Sequence, residues 1–341
     1  MNSIARNEFL STLRIGVISG IVSAIFMYFF YYRGWQSIGA GLCIGFFIPL
    51  CLSFYTNRII RKYLIKLNLL ILLTINTLVH LIVIFVIAVF FVVIFYMKGD
   101  FSQIYTNTNF LFSHFLLIGI GFGVTLSLIF NFFSILNTLI GRQILGKLFI
   151  GMYRKPAEVD RVFMFLDIKS STTIAEQIGH IRFLSLVNDF FYDIVQPVLQ
   201  TKGEIYKYVG DEAIITWKTK DAIKNANCVH CFFLIDETIK KKAAMYMKKY
   251  GIVPEFKAGI HGGISVTGEL GYTKREIAYM GDVLNTTARI EEACKKYKED
   301  LLVSEHIVSQ IGRHENYQFT AAGKEKLRGK KTEIALFKIK S

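Results

Sequence analysis

Asp167 and Asp211 are the residues of this chain whose setting best suits chemistry. Asp167 ends the apolar run Arg161-Val-Phe-Met-Phe-Leu-Asp167, and Asp211 lies in Gly210-Asp-Glu212 between two short runs, Glu204 to Val209 and Ala213 to Trp217. The first run reads as a buried strand and the second pair as a tight hairpin. In a β-α-β-β unit the end of the first strand and the hairpin tip can lie side by side, so the two carboxylates could share a pair of divalent ions. All-oxygen ligands of this kind suit Mg²⁺ or Mn²⁺. Ser170, Ser171, Thr172 and Thr173 follow Asp167 and can cap the next helix, whose N-terminal N–H groups favour phosphate. Taken singly, each aspartate has a plainer reading, as turn chemistry or a helix cap.

The elements that must position these residues are legible in the same half. Leu184, Val187, Phe191, Ile194 and Val198 recur at helical spacing and predict one long helix to about Gln200, broken by Gly203. A second long helix is predicted from about Ala222 to Lys249. Phe256 to His261 and Ile264 to Glu269 flank Gly262-Gly263 and predict another strand pair. Asp282 to Lys296 reads as helix, and the tail holds strands near Leu301, Gln318 and Ile334. The interleaving is an α+β, ferredoxin-like β-α-β-β-α-β pattern with additions.

The N-terminal half answers to a different solvent. The 341 residues are 52% hydrophobic, with mean hydropathy +0.40, and the apolar surplus lies before Gly141. Four stretches are long enough for spanning helices, about 13–32, 38–55, 67–96 and 110–139, which predicts an all-α transmembrane region over 1–139. Basic residues gather at Arg6 and Arg14, at Arg58, Arg61, Lys62 and Lys66, and at Arg142, Lys147, Arg154 and Lys155. Both termini and the middle loop are therefore expected on the cytoplasmic side of a plasma or inner membrane. Residues 140–157 form the coupling linker to a soluble domain over 158–341, and lack the Gly/Ser composition of a flexible tether.

The net charge of +14 is explained by lipid contact and solvated helix faces, and no motif supports nucleic-acid binding. Cys228 and Cys231 form a CxxC around His230 without a second ligand pair, which reads as a buried helix face. Asn76, His80, His114 and Asn131 are polar positions within the spans, suited to interhelical hydrogen bonds or to an unknown ligand of the membrane region.

Four segments carry a resemblance. Phe165-Leu-Asp-Ile-Lys-Ser-Ser-Thr172, Lys207-Tyr-Val-Gly-Asp211, Gly259-Ile-His-Gly-Gly263 and Gly281-Asp-Val-Leu-Asn-Thr-Thr-Ala-Arg289 resemble, in order and spacing, the catalytic domain of class III adenylate and guanylate cyclases over about residues 158 to 340. The resemblance implies that Asp167, Asp211 and the Ile168 carbonyl bind two divalent ions, one acidifying the ribose 3′-hydroxyl and one holding the triphosphate. It implies that Asn285 orients the ribose and that Arg289 stabilises the reacting phosphate. Lys207 matches the lysine that selects adenine. The partner base-reading position, commonly Asp or Thr, is Ala278 here, which offers no side-chain hydrogen bond. Ser171 and Thr172 fall in the substrate-binding segment, and Leu327-Arg-Gly-Lys330 resembles the phosphate-binding segment, with Lys330 or Arg328 serving. In this family one subunit supplies the aspartates and the other the lysine, asparagine and arginine, so a homodimer with two composite sites is implied. The expected activity is an adenylate cyclase using ATP. A guanylate or mixed-specificity cyclase, a silent nucleotide-binding receptor, a diguanylate cyclase and a transporter are the competing readings.

Overall fold

In the computed structural model of the protein, the described residues are 151, 153–273, 275–326 and 333–340, together with scattered helical residues between 13 and 132. The chain divides into two units, Met1–Ile150 and Gly151–Ser341. In the second unit, strand β1 (Ala157–Ile168) is central because Val162 to Leu166 are five successive apolar side chains, all buried. A strand covered on both faces reads as such a continuous run. Val162, Met164 and Leu166 join one core with Leu186, Phe190 and Ile194. Phe163 and Phe165 point the other way, into a smaller core with Ile214 and Val283.

Helices α1 (Ser171–Ile178) and α2 (His180–Gln200) follow, then the hairpin β2 (Glu204–Val209) and β3 (Glu212–Lys218). Next come α3 (Thr219–Ile223), α4 (Asn227–Lys241) and α5 (Ala243–Tyr250), and β4 (Phe256–Leu270) and β5 (Glu276–Met280). Then come α6 (Asp282–Tyr297), β6 (Leu301–Ser304), α7 (Glu305–Ile311), β7 (Gln318–Glu325) and β8 (Ile334–Lys340). The sheet runs β2-β3-β1-β4-β6-β8-β7, with β5 also paired to β4. Its first four strands and their helices follow the expected β-α-β-β-α-β connectivity, and the β4–β6 pair is parallel, so the sheet is mixed.

Three elements differ from the sequence expectation. The first long helix is two, because Gly179 takes φ +82° between α1 and α2. The second is interrupted at Asn225 and Ala226, with φ of +55° and +48°, and again at Lys242 between α4 and α5. Gly262-Gly263 is not a turn: β4 passes straight through it, with Gly262 opposite Val162 and Gly263 opposite Arg161. A Cβ on Gly262 would lie 2.7 Å from Ile307 Cδ1 and 3.0 Å from Val162 Cγ2. The glycine there serves close packing, a use that looks identical to a turn signal in sequence.

In the first unit, no helix among the described residues is long and apolar enough to cross a membrane. Most of the third and fourth expected spans, and all of 140–150, lie outside the described residues, as do His114 and Asn131. Within the helical stretch 16–25 the large side chains Val17, Ile18, Ile21, Val22 and Ile25 are exposed. The small residues pack: Cβ atoms on Gly41 and Gly45 would lie 2.5 Å from Ala24 Cα and 2.4 Å from the Ser19 carbonyl oxygen. Asn76 and His80 are buried.

Candidate active site

Strand register assembles the centre of the site. Asp167, at the end of β1, lies opposite Glu212 of β3 and opposite Lys257 of β4. Asp211 shares the two-residue turn of the β2–β3 hairpin with Gly210, whose φ of +65° is one that glycine adopts without strain. Lys257 Nζ lies 3.5 Å from Asp167 Oδ2 and 2.5 Å from Oε1 of Glu291, a buried residue of α6. Burial, then repulsion from Asp211 and Glu291, raises the Asp167 carboxyl to about 6. Burial, with repulsion from Glu291, Asp167 and Asp211, raises Glu212 to about 7. Burial opposes charge on Lys257, but its bond to Glu291 and its attraction to Asp167 outweigh it and hold the ammonium above its usual range. Lys257 pairs with Asp167 and Glu291, while Asp211 and Glu212 add two further carboxyl groups beside Asp167, an excess of acids over cations that favours a bound cation.

Among the described residues no three His, Cys, Asp or Glu side chains form a group able to hold a metal ion. Two carboxylates still fit Mg²⁺ or Mn²⁺, because such ions commonly take one or two protein carboxylates and complete their shell with substrate phosphates and water. Ile168 is buried beside Asp167. The expected side-chain caps are absent: Ser170 takes φ 54° at the N-cap of α1 without a side-chain bond. Ser171 is half-buried and Thr172 exposed in its first turn.

A second cluster joins β2 to β5. The Tyr279 backbone N–H donates to Tyr206 Oη at 3.1 Å, and the Tyr206 and Tyr279 rings meet edge to face with centroids 5.0 Å apart. Beside this clasp, Lys207 Nζ donates to Glu276 Oε2 at 2.9 Å, and that bond holds the lysine above its usual range. Ala278, opposite Gly268 of β4, is half-buried.

Asn285 and Arg289 stand one turn apart on α6, the asparagine exposed and the arginine half-buried. Helix α6 can lie close on β4 because Gly259 has no side chain; a Cβ there would be 2.3 Å from the Glu291 backbone nitrogen. Among the described residues no hydrogen bond or ion pair links Asn285 or Arg289 to Asp167 or Asp211. Arg328 and Lys330 lie outside the described residues.

Sequence reasoning passed over Lys257, Glu291 and Glu276 and took Glu212 only as a turn residue. Cross-strand register and helix packing, not local spacing, bring these four to the site. The CxxC expectation stands as a buried helix face, with Cys228 and Cys231 buried on α4 and burial raising both thiols to about 12.

Residues 155–341 match the family described as the adenylate and guanylate cyclase catalytic domain. The chain is 36% identical over 201 residues to adenylate cyclase 2 of Rhizobium meliloti, covering 59% of this chain and 55% of that one. It is 27% identical over 186 residues to an adenylate cyclase of Anabaena cylindrica, covering 52% of this chain and 36% of that one. It therefore spans about half, or less, of the length of these relatives. A bacterial light-regulated adenylyl cyclase structure shares the fold, with a TM-score of 0.57 at 16% identity over 67% of each chain. Since the family match covers more than half of the sequence and all of the strands just described, the chain belongs to the adenylate and guanylate cyclase catalytic-domain family.

Proposed function

We propose that the protein is a membrane-anchored adenylate cyclase, a phosphorus-oxygen lyase of signal transduction that converts ATP to 3′,5′-cyclic AMP and pyrophosphate at a homodimer interface. The observation that carries this reading is the strand register, which sets Asp167 at the end of β1 opposite Glu212, next to the β2–β3 turn that holds Asp211. Asp167, Asp211 and the Ile168 carbonyl would hold the divalent ions, which when bound acidify the ribose 3′-hydroxyl and neutralise the triphosphate. Asn285 orients the ribose, and Arg289 presents a fixed cation to the phosphate where charge develops. Lys207 donates to the base, Ser171 and Thr172 lie along the phosphates at the start of α1, and Lys330 or Arg328 binds phosphate. Attack of the 3′-oxygen on the α-phosphorus expels pyrophosphate without a covalent enzyme intermediate.

Two features support the dimer. Asn285 is exposed rather than turned onto its own chain's aspartates, and Tyr208 and Val209, just before Asp211, expose 44% and 50% of their surface. A second copy would cover the apolar side chains and complete each site. The membrane anchor is supported by the four apolar stretches and by the helical stretch 16–25, where large apolar residues face outward and small ones pack inward, the arrangement expected in lipid. The catalytic domain and N-terminus then lie in the cytoplasm, with 140–157 as the coupling linker.

Ala278 favours one second reading, a guanylate or mixed-specificity cyclase. Cyclic nucleotide production by the full-length protein in detergent, with Mn²⁺ and either ATP or GTP, tests both. Cyclic AMP from ATP, lost in Asp211→Ala, is the expected result. Cyclic GMP would move the assignment to the guanylate branch, and no product from a verified dimer would favour a nucleotide-binding receptor.

A further inference from the structure

We propose that Glu276 is a specificity-determining residue of the purine site, accepting a hydrogen bond from the 6-amino group of adenine beside the bond that Lys207 gives to the ring. The inference deepens the cyclase reading and rests on it for the location of the base.

The ion pair of Lys207 Nζ and Glu276 Oε2, at 2.9 Å, places a pure donor next to a pure acceptor. Adenine presents the complement on one edge, the acceptor N1 beside the 6-amino donor. Glu276 and Ala278 are two apart on β5, so their side chains leave the same face of the strand, about 7 Å apart along it. Alanine at 278 has no polar group, so Glu276 is the acid of β5 on that face. The Glu276 carboxylate already meets the Lys207 ammonium, so an acceptor stands beside the lysine without an acid at 278. The clasp of Tyr206 and Tyr279 fixes the two strands at this point, and Tyr279 is further held edge to face by buried Phe163, centroids 5.6 Å apart. The acid and the lysine are thus mounted on rigid elements rather than on loops.

Stability does not account for the pair. The two side chains are 48% and 41% exposed, and ion pairs so exposed add little to folding. Guanine also carries an acceptor beside a donor, but with the acceptor on the exocyclic atom and the donor in the ring. It must therefore shift against the same pair to bond with both.

The test compares ATP with purine riboside 5′-triphosphate, which lacks only the 6-amino group, on the full-length chain with Mn²⁺. The wild type should prefer ATP by at least about tenfold in kcat/KM, because a site built to bond a polar group rejects the analogue that lacks it. In Glu276→Ala the preference should fall to within about twofold, mainly through loss on the ATP side. The same comparison is made by nucleotide binding in the Asp211→Ala background, where turnover is blocked. An unchanged ATP preference in Glu276→Ala, or equal binding of the two nucleotides by the parent, would overturn the proposal. Discrimination in binding without product from the wild type would leave Glu276 as the reader and remove the cyclase reading instead.

Discussion

At Glu212 and Asp167 the site has a cost that pH reveals. Their folded carboxyls sit at about 7 and about 6, above the unfolded values of roughly 4.3 and 3.9. Between these limits the folded state binds more protons than the unfolded one, so stability is greatest below about pH 4 to 5 as far as these groups are concerned and falls as pH rises toward 7. Thermal unfolding with a chelator present should show Tm falling over that window. Glu212→Gln should flatten the slope and raise Tm at pH 8 by a few degrees, roughly the effect of 1 kcal/mol in a unit of this size. An unaltered slope would mean that burial and its acidic neighbours do not raise Glu212 in the folded state. Arg289 carries a different expectation: removing a preorganised donor to developing charge costs about 10²- to 10³-fold in kcat, so Arg289→Ala should lower kcat in that range while KM moves little. A comparable rise in KM would assign it to ground-state binding. The aspartates were legible in sequence because each ends a recognisable pattern, a hydrophobic run or a Gly-Asp turn. Lys257 and Glu291 were not, because they meet Asp167 through the β1–β4 register and the docking of α6, and neither leaves a local spacing.

Glycines set how closely the elements of the catalytic unit approach, and two of them should behave unequally. At Gly262 an added Cβ meets the tips of Ile307 and Val162, whereas at Gly259 it meets the Glu291 nitrogen at 2.3 Å and the Thr287 carbonyl oxygen at 2.8 Å. A side-chain tip can rotate aside; a helix backbone can yield only by moving the helix. Gly262→Ala should therefore cost about 1–3 kcal/mol, as overpacking usually does, and Gly259→Ala more. Because α6 carries Asn285 and Arg289, Gly259→Ala should also reduce activity in molecules that remain folded. Denaturant unfolding gives the order of the two variants, and the reverse order would show that α6 is not seated on Gly259. Sequence alone read these positions partly wrongly. A Gly-Gly pair between apolar runs marks a turn or a close crossing equally well, and only the unbroken pairing of β1 with β4 from Ala157 to Ile168 decides for the crossing. The helix breaks at Asn225 and Lys242 were equally hidden, since neither residue is a strong breaker by type. The burial of β1 was easier to anticipate, because its run is apolar on both faces, as in a strand covered from both sides.

For the whole molecule the decisive question is whether one chain is enough. Both sets of residues implied by the resemblance are in this sequence, yet among the described residues nothing bonds the Asn285 and Arg289 pair to the aspartates of the same chain. If each site takes its aspartates from one copy and its asparagine and arginine from another, two inactive variants should repair each other. Asp211→Ala and Asn285→Ala are expected to be inactive alone. In a mixed dimer one composite site carries both lesions and the other carries neither. Random pairing of equal amounts makes half of the dimers mixed, with one of two sites intact, so activity should return to about a quarter of the wild-type level. That recovery should need co-expression, or dissociation and reassociation, and should vanish on dilution below the dimer dissociation constant. Inserting a few glycines within residues 140–157 gives a separate test at the same scale, since a stiff linker transmits geometry and a flexible one does not. If the proposed membrane region sets the dimer geometry, the insertion should change basal activity while complementation between the two point variants survives. Failure of complementation in dimers shown to be mixed would instead place both residue sets of a working site on one chain.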